Sequence, residues 1–276
     1  MKPEVAWPAL AVVTHASEAD LRRTLPGHVG VAERLGVPLI AVDNASPDGT
    51  VAVLEDWAGR TEALEVILCE SNLGYATAAN RAFAAAGERD VLLLNPDVEL
   101  AGPEPVRSLA AALADRARAG VVAPRLIDAD GTVQPTARRL ASLPAMLGSM
   151  PRTGAVARPL RGAYERYLAP SYAARPVAVG WVIGAAMLVR RQAFEEVGGF
   201  DEGFFLYMED ADLCRRLNAA GWEVAYLPEI RLRHGYARAS SAPGASVLAS
   251  QARRRHFASL ARYWRKHPRA LVGGER

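Results

Sequence analysis

The stretch Asp90-Val91-Leu92-Leu93-Leu94-Asn95-Pro96-Asp97 carries four consecutive apolar residues that stop at an Asn-Pro pair and a carboxylate. Such an unbroken apolar run is typical of a strand buried on both faces, as in parallel sheets covered by helices. Asp97 then follows the carboxyl end of that strand, where open α/β sheets bind their ligands. Asn, Pro and Asp also form ordinary turns, so this segment alone fits a simple strand end equally well.

Similar units precede this strand in the chain. Apolar runs at 10–15, 38–43 and 64–69 alternate with helix-like segments at 19–35, 50–58 and 76–86. Pro26 and Gly27 are expected to interrupt the first helix, and Ser17 with Asp20 resembles a capping pattern at its start. Strands and helices alternating at this spacing predict an α/β fold with a Rossmann-like, mostly parallel sheet and helices on both faces.

The second half of the chain is less regular. A helix at 104–118 and a strand at 119–124 continue the alternation, and residues 125–176 then become rich in Arg, Pro, Ser and Gly. We expect a substrate-side insertion there, because long irregular segments are usually functional or mobile; a tolerated surface loop is the alternative. The apolar run at 177–189 contains two glycines and predicts a strand pair or a bent strand.

Composition excludes several protein classes. The chain has 276 residues, half of them apolar, which suits one large α/β domain or two small ones. Cys69 and Cys214 are far apart and lack a Cys-x-x-Cys partner, so we predict neither disulfides nor zinc, and a cytoplasmic location. The longest apolar run, at 177–189, is shorter than the ~20 residues that a transmembrane helix needs.

Two nucleotide-binding fingerprints are missing from the sequence. No Gly-x-Gly-x-x-Gly follows the first strand, and no Gly-x-x-x-x-Gly-Lys-[Ser/Thr] occurs anywhere. A bound nucleotide would therefore be held by acids and loop backbone. Asp43 and Asp97 each follow a predicted strand at the same sheet edge, so one could meet a base or ribose and the other a metal.

A second acidic cluster follows an aromatic run at 204–207 and opens a predicted helix with Glu209, Asp210 and Asp212. Acids in a first helical turn gain ~0.3–1 kcal/mol each from the helix dipole, which explains only part of the cluster. Glu209 and Asp212 share one helix face, whereas Asp210 points elsewhere and could face a cleft.

Five segments stand in the order and spacing of family 2 glycosyltransferases, and the sequence most resembles their rhamnosyltransferase-like branch. They are Asp43-Asn44-Ala45-Ser46-Pro47-Asp48-Gly49-Thr50, Asn72-Leu73-Gly74-Tyr75 with Asn80-Arg81-Ala82, Leu94-Asn95-Pro96-Asp97, Gly198-Gly199-Phe200-Asp201-Glu202 and Tyr207-Met208-Glu209-Asp210-Ala211-Asp212-Leu213. The resemblance runs from about residue 12 to about residue 234. It implies a GT-A fold, a nucleotide-sugar donor, Mg²⁺ or Mn²⁺, and inversion at the anomeric carbon.

The resemblance also implies roles for individual residues. Asp210 matches the family's general base, with Glu209 beside it, and Asp97 matches its metal-binding acid. His234 matches a histidine near the metal or diphosphate, and Asn95 stands where the fuller metal motif has Asp, which bears on metal affinity. The implied donor-side residues are Thr14, Asp43, Asn72, Gly74, Asn80 and Asn95. The implied acceptor-side residues are Trp181, Gly184 and Asp212.

The chemistry agrees with these roles. A departing diphosphate needs a cation held by carboxylates, and an attacking hydroxyl needs a carboxylate base on the opposite side. We predict an inverting, metal-dependent transferase that moves a sugar, with rhamnose from dTDP-rhamnose expected, to a lipid-linked or polysaccharide acceptor. One alternative, a sugar-1-phosphate nucleotidyltransferase, would want a glycine-rich loop at 14–18, which is absent. A silent nucleotide-sugar-binding scaffold is the other, and the Glu209–Asp210 pair argues against it.

We divide the chain into a catalytic domain at 1–250 and a basic tail at 251–276, with a nucleotide-binding half at 1–124 and an acceptor-side half at 125–250. The tail holds eight Lys or Arg and one Glu, whereas the whole chain has a net charge of +3. In a helix, Phe257, Leu260, Ala261 and Trp264 would form one apolar stripe. This predicts attachment to an anionic membrane on its cytoplasmic side, without nucleic acid as a partner; packing of the stripe on the catalytic domain is the alternative.

Overall fold

A computed structural model describes residues 6–148, 157–235 and 246–271. The strands are β1 (Ala9–Thr14), β2 (Leu39–Asp43), β3 (Leu64–Leu68), β4 (Val91–Leu94), β5 (Val98–Glu99), β6 (Ala119–Ile127), β7 (Ala137–Arg138), β8 (Val177–Ala178), β9 (Trp181–Val182), β10 (Ala186–Val189) and β11 (Glu223–His234). The helices are α1 (Glu18–Leu35), α2 (Thr50–Ala58), α3 (Tyr75–Ala85), α4 (Glu104–Ala114), α5 (Leu143–Gly148), α6 (Ala157–Leu168), α7 (Arg191–Glu196), α8 (Glu209–Ala219) and α9 (Ser246–Lys266). Two 3-10 turns span Ala169–Tyr172 and Pro268–Leu271.

Among the described residues, the main sheet has nine strands in the order β3-β2-β1-β4-β10-β6-β11-β5, with β8 paired to β11. Strands β3, β2, β1 and β4 are parallel to one another, and β6 is parallel to β11. Strand β10 lies antiparallel between β4 and β6, so both halves of the chain share one sheet. The predicted α/β fold with a Rossmann-like layer is confirmed.

Helices cover both faces of this sheet, which explains why its central strands are apolar throughout. Side chains of a strand point alternately to opposite faces. In β1, Ala11 and Val13 accordingly join one hydrophobic cluster, whereas Leu10 and Val12 join the other. The first cluster takes in α3 and α8, and the second takes in α1 and α4.

The prediction that Pro26 and Gly27 interrupt the first helix is wrong. Helix α1 runs through both residues, with Pro26 inside it. An interior proline costs about 3 kcal/mol, but burying one Leu or Val contributes about 1.5–3 kcal/mol, and Leu21, Leu25 and Val29 are all buried on this helix. The expected side-chain cap is absent as well, since Ser17 makes no capping hydrogen bond to the helix.

The described part of the irregular segment at 125–176 folds against the rest of the chain. Strand β7 pairs with β9 through Ala137 with Val182 and Arg138 with Trp181. Gly180 is required beside this ladder, because a Cβ there would collide with the backbone of residues 139 and 140. The segment therefore brings Arg138, which is half-buried, against Trp181. The apolar run at 177–189 supplies three short strands, β8, β9 and β10.

Helix α9 is docked on the catalytic domain. Tyr263, which the sequence did not single out, is fully buried, and Leu260 and Trp264 pack against the first cluster. Phe257 is 61% exposed, so the predicted apolar stripe is divided between the core and the surface. No helix of the described ranges is long and apolar enough to cross a membrane.

Candidate active site

Thr14 and Asp43 lie side by side at the carboxyl ends of β1 and β2, where the strand register pairs them directly. The Thr14 hydroxyl donates to Asp43 Oδ1 over 2.9 Å, and the Ser46 backbone N–H donates to Asp43 Oδ2 over 2.9 Å. Asp43 therefore holds the turn after β2 in place, and both side chains are buried. Their contact with a nucleotide stays a prediction.

Asn44 connects this turn to the loop before α3. Its Nδ2 donates to Asn72 Oδ1 and to the Gly74 carbonyl, each over 3.1 Å, and its Oδ1 accepts from the Leu73 N–H over 2.8 Å. Gly74 has φ +85°, and a Cβ there would lie 2.6 Å from the Phe205 carbonyl oxygen. Asn72 and Gly74 thus shape a loop that touches the segment before α8. Sequence reasoning missed Asn44, although its place in the motif at 43–50 was an available signal.

Asn80 is engaged with a different part of the chain. Its Nδ2 donates to the Phe200 carbonyl and to Glu202, and its Oδ1 accepts from the Phe200 N–H, each over 3.0 Å. This side chain fixes the glycine-rich loop at 198–202 to helix α3. Its expected contact with the donor remains untested.

Asp97 and His234 come together at the end of β4. His234 Nε2 lies 3.1 Å from Asp97 Oδ1, and the Gly235 N–H donates to the Asp97 carbonyl over 2.9 Å. The short β5–β11 pairing, which sets His234 opposite Val98, brings the two residues into register. Asn95 anchors the same turn, since its N–H donates to the Ala185 carbonyl over 2.8 Å.

The donor set fits a divalent cation that arrives with a diphosphate. Within the described ranges, no group of three or more His, Cys, Asp or Glu side chains could hold a metal by itself. Magnesium is commonly bound by one or two carboxylates together with substrate phosphate oxygens, and imidazole is a further metal ligand. Asp97 and His234 could therefore supply the protein's share of such a site.

The backbone is strained where it enters helix α8. Tyr207 has φ +68° and Met208 has φ +69°, a region that residues other than glycine rarely adopt. Consecutive outliers of this kind concentrate at functional sites, where surrounding contacts hold them. Here the Ser259 hydroxyl of α9 donates to the Leu206 carbonyl over 2.8 Å, and the His256 ring stands edge-on to Tyr207. Helix α9 thus supports the turn that presents Glu209 and Asp210.

Asp210 is buried at the start of α8 with both carboxylate oxygens engaged. Oδ2 accepts from the Gly184 N–H over 3.0 Å, and Oδ1 accepts from the Ala211 N–H over 2.7 Å. The Tyr75 hydroxyl donates to the Gly184 carbonyl over 3.2 Å. Gly184, predicted on the acceptor side, therefore contacts the predicted base directly and fixes its orientation.

The surroundings of the two neighbouring carboxyl groups give them different pKa values. Burial raises the pKa of Glu209 well above its usual range, and the charge of Asp210 raises it further. Burial also raises the pKa of Asp210, but hydrogen bonds from Gly184 and Ala211 and the charge of Arg138 oppose that rise. We infer that Glu209 holds the proton of the pair, which leaves Asp210 as the anion.

This arrangement predicts an acidic limit on activity. A base with a raised pKa loses its charge as the pH falls through that pKa, so kcat should decline at a higher pH than an exposed aspartate, with a pKa of about 3.9, would allow. Replacing Arg138 with Gln removes a charge that lowers the pKa of Asp210, and the decline should then move to still higher pH. Profiles of kcat against pH for the two proteins test this, and superimposable profiles would contradict it.

Trp181, predicted on the acceptor side, is buried and contacts Arg138. The Arg138 guanidinium stacks over the Trp181 ring at 4.9 Å and over the Tyr167 ring at 5.7 Å from the ring centroids. Its Nε donates to the Pro135 carbonyl over 2.9 Å. Sequence reasoning missed Arg138, because its segment carries no periodic signal and the ring contacts come from distant parts of the chain.

Asp212 serves the docking of the C-terminal helix. It is fully buried, and its carboxylate accepts from Arg216 of its own helix and from Lys266 and His267. Although burial disfavours the charged form, these hydrogen bonds and charges hold the pKa of Asp212 below its usual range. Its acceptor-side role stays a prediction.

The chain matches two protein-family models. A model described as glycosyl transferase family 2 matches residues 10–198, and one described as glycosyl transferase family group 2 matches residues 166–267. The chain belongs to glycosyltransferase family 2. An N-acetylglucosaminyl-diphospho-decaprenol L-rhamnosyltransferase of Mycobacterium tuberculosis is 37% identical over 259 residues, which cover 87% of this chain and 80% of that protein. This family 2 member is therefore an enzyme, a glycosyltransferase, as predicted.

Solved structures of glycosyltransferases share the fold. GalNAc-T7 with UDP, GalNAc and Mn²⁺ superposes over 84% of this chain with a TM-score of 0.60 and 18% identity. The mannosyltransferase PcManGT of Pyrobaculum calidifontis with GDP-Man and Mn²⁺ superposes over 93% with a TM-score of 0.57 and 18% identity. This chain spans 45% of the first of those proteins and 65% of the second. At such identity the likeness supports the GT-A fold alone.

Proposed function

We propose that this glycosyltransferase moves a rhamnosyl group from dTDP-rhamnose, with inversion, to a lipid-linked acceptor that carries a diphosphate. The observation that carries the proposal is the 37% identity, over 87% of the chain, with a relative named for rhamnosyl transfer to N-acetylglucosaminyl-diphospho-decaprenol. The buried, oriented Asp210 and the Asp97–His234 pair agree with this reaction. Incubation with a panel of nucleotide sugars and Mg²⁺ or Mn²⁺ tests it, since release of nucleoside diphosphate marks a transferase and pyrophosphate exchange marks a nucleotidyltransferase.

The chemistry assigns the two sides of the site different tasks. Asp210 accepts the proton of the acceptor hydroxyl as that oxygen bonds to the anomeric carbon, while the bond from this carbon to the diphosphate breaks on the opposite side. Asp97 and His234 would hold Mg²⁺ or Mn²⁺, and the bound ion would supply positive charge to stabilise the leaving diphosphate. Glu209, kept neutral by burial, leaves the negative charge on Asp210.

The positively charged side chain of Arg138, whose charge acts on Asp210, supports a diphosphate-linked acceptor. A positive charge near a general base reduces its basicity, so Arg138 needs another reason to be there. The preceding ring contacts hold its guanidinium in a fixed position, and a fixed guanidinium can bind phosphate oxygens in a bidentate manner. Arg138 would thus bind the acceptor diphosphate close to the reacting hydroxyl.

Replacement of Arg138 with Gln is expected to raise the KM for a diphosphate-linked acceptor by about 10–100-fold, as a lost charged hydrogen bond is worth about 1.5–3 kcal/mol. The donor Kd should stay unchanged. Steady-state kinetics check this, with the exposed neighbour Arg139 replaced by Gln as the matched control. An equal loss with an acceptor that lacks the diphosphate would contradict the assignment.

Membrane contact is proposed for the outer face of α9. Arg254, Phe257, Ala261 and Arg265 are exposed and fall on one face of the helix, opposite the buried Tyr263. Basic residues gain about 1 kcal/mol each near an anionic lipid surface, and Phe257 can enter the interface. This face would bring the site to a lipid-linked acceptor.

Vesicle co-sedimentation checks this contact. Replacing both Arg254 and Arg265 with Glu should weaken binding to anionic vesicles by at least about 30-fold at about 1 kcal/mol per residue, and wild-type binding should fall as salt rises. Deleting α9 is an unsuitable test, because it would leave the buried Asp212 without Lys266 and His267. Replacing the exposed Arg60 of another surface with Glu is the control. Salt-insensitive binding, or none, would refute the proposal.

A further inference from the structure

A line of hydrogen bonds runs from the turn after β6 to the proposed metal ligands. Asp128 Oδ1 accepts from Gln134 Nε2 over 2.6 Å, and Gln134 Oε1 lies 2.7 Å from His234 Nδ1. His234 Nε2 in turn faces Asp97 Oδ1 at 3.1 Å. Gln134 is buried, and none of the roles derived above uses it.

The turn at 128–132 explains how Gln134 reaches this position. The Asp128 N–H donates to the Thr132 carbonyl, and the Gly131 N–H donates to the Asp128 carbonyl, each over 2.9 Å. Gly131 has φ +84°, which suits a glycine in a tight turn. The Gln134 N–H then donates back to the Leu126 carbonyl over 3.0 Å. The chain thus reverses and lays Gln134 against His234.

The surroundings of Gln134 determine which way its amide points. Nε2 donates to Asp128 Oδ1 and to the His234 backbone carbonyl, 3.2 Å away, and both of these oxygens can only accept. The amide oxygen therefore faces the imidazole ring. Because a carbonyl oxygen can only accept, His234 Nδ1 must carry the proton of this bond.

A proton on Nδ1 leaves a lone pair on Nε2 in the neutral ring. Nε2, which carries this lone pair, lies 3.1 Å from Asp97 Oδ1, so the two atoms could bind the same divalent cation. Without Gln134, the Asp97 carboxylate would favour the opposite tautomer, with the proton on Nε2. That tautomer has no lone pair for a metal.

We propose that Gln134, held by Asp128, is a positioning residue that keeps His234 in the Nδ1–H tautomer and so prepares Nε2 to ligate the divalent cation beside Asp97. The inference rests on the proposed metal-dependent transfer and deepens it. Partners of this kind on the far nitrogen of a metal-binding histidine typically change metal affinity by 10–100-fold.

Two readouts test the role of Gln134. Nitrogen NMR of the five histidines in alkaline buffer, with His234 assigned from a His234→Asn variant, should show the Nδ1–H tautomer in the wild type. Gln134→Leu should shift His234 toward the Nε2–H tautomer and weaken Mn²⁺ binding in the presence of dTDP by about 10–100-fold. The double variant Gln134→Glu with Asp128→Asn keeps an acceptor at Nδ1 and lets residue 128 donate to the new carboxylate, so it should restore both. Asp130→Asn, in the same turn but exposed, is the control and should change neither.

The outcomes separate this inference from the proposed function. If the wild type binds no Mn²⁺ with dTDP, the proposed metal site fails, whereas the tautomer measurement on the metal-free protein still decides the role of Gln134. An unchanged tautomer and unchanged Mn²⁺ affinity in a folded Gln134→Leu protein would overturn the inference. Should that variant fail to fold, a folded double variant Gln134→Glu with Asp128→Asn that shows the Nε2–H tautomer would overturn it equally.

Discussion

Replacement of Asp210 with Asn is expected to lower kcat by about 10²–10⁴-fold, the range for loss of a general base. The asparagine keeps the size of the side chain and can accept one of the two backbone hydrogen bonds that Asp210 accepts, whereas the negative charge of the base is lost. Since Asp210 acts on the acceptor alone, the donor Kd should stay nearly the same. Single-turnover kinetics with saturating donor, together with calorimetric donor titration, measure the two quantities separately.

Glu209→Gln is the matched control for that experiment. Burial and the neighbouring charge keep Glu209 protonated, and glutamine resembles a protonated glutamate in shape and charge. We therefore expect a loss of less than about tenfold, far below that of the Asp210 variant. Wild-type turnover by Asp210→Asn, or an equally large loss in both variants, would contradict the assignment of Asp210 as the base.

Replacement of Asp97 with Ala is expected to weaken donor binding by about 10²-fold or more with Mg²⁺ or Mn²⁺ present, and far less in EDTA. The reason is that Asp97 would contribute to donor binding through the cation that it helps to hold. Titration of donor into wild type and variant under both conditions measures the effect. Glu99→Ala is the control, because Glu99 lies two residues away and is paired with Arg23 at 3.6 Å.

Equal losses with and without metal would limit Asp97 to a structural role, in which it orients His234 and the turn after β4. Full wild-type activity in EDTA would go further and contradict metal dependence altogether. The two results are distinguishable, because the first is measured as donor binding by the Asp97 variant and the second as turnover by the wild type.

The central sheet could be predicted from the sequence because its signals are local. The apolar runs that became β1, β2, β3 and β4 are short, continuous and separated by helix-length segments, so their order along the chain indicated their layer. The same pattern predicted that the carboxyl ends of β2 and β4, which lie on either side of β1, share one edge of the sheet. Asp43 and Asp97 were therefore found at one edge without any knowledge of contacts.

The remaining features depend on residues that are distant in sequence. Helix α1 continues through Pro26 because burial of its apolar face stabilises the helix by more than an interior proline costs. The local sequence does not indicate that this face is buried. Gln134 and His234 are 100 residues apart, so their hydrogen bond leaves no periodic signal. Arg138 was overlooked for the same reason. Fold and motif positions could thus be predicted, whereas the residues that orient the motifs could not.

The C-terminal segment illustrates how one sequence pattern can serve two surfaces. The helix that this periodicity predicts is present as α9. The residue that anchors α9 in the core is the fully buried Tyr263. Arg262 and Lys266 add ion pairs to Asp201 at 2.7 Å each. An amphipathic pattern indicates that one face is covered and does not identify the partner. Here the catalytic domain covers the inner face and leaves Phe257 outside.

The most direct test of the proposed reaction is to supply dTDP-rhamnose, Mn²⁺ and an N-acetylglucosaminyl-diphospho-polyprenol, and to determine the product by mass spectrometry and NMR. We predict a rhamnosylated lipid whose anomeric configuration is opposite to that of the donor, with one dTDP released for each rhamnose transferred. A product that retains the donor configuration, or dTDP release that is unaffected by the lipid acceptor and yields free rhamnose alone, would contradict the account.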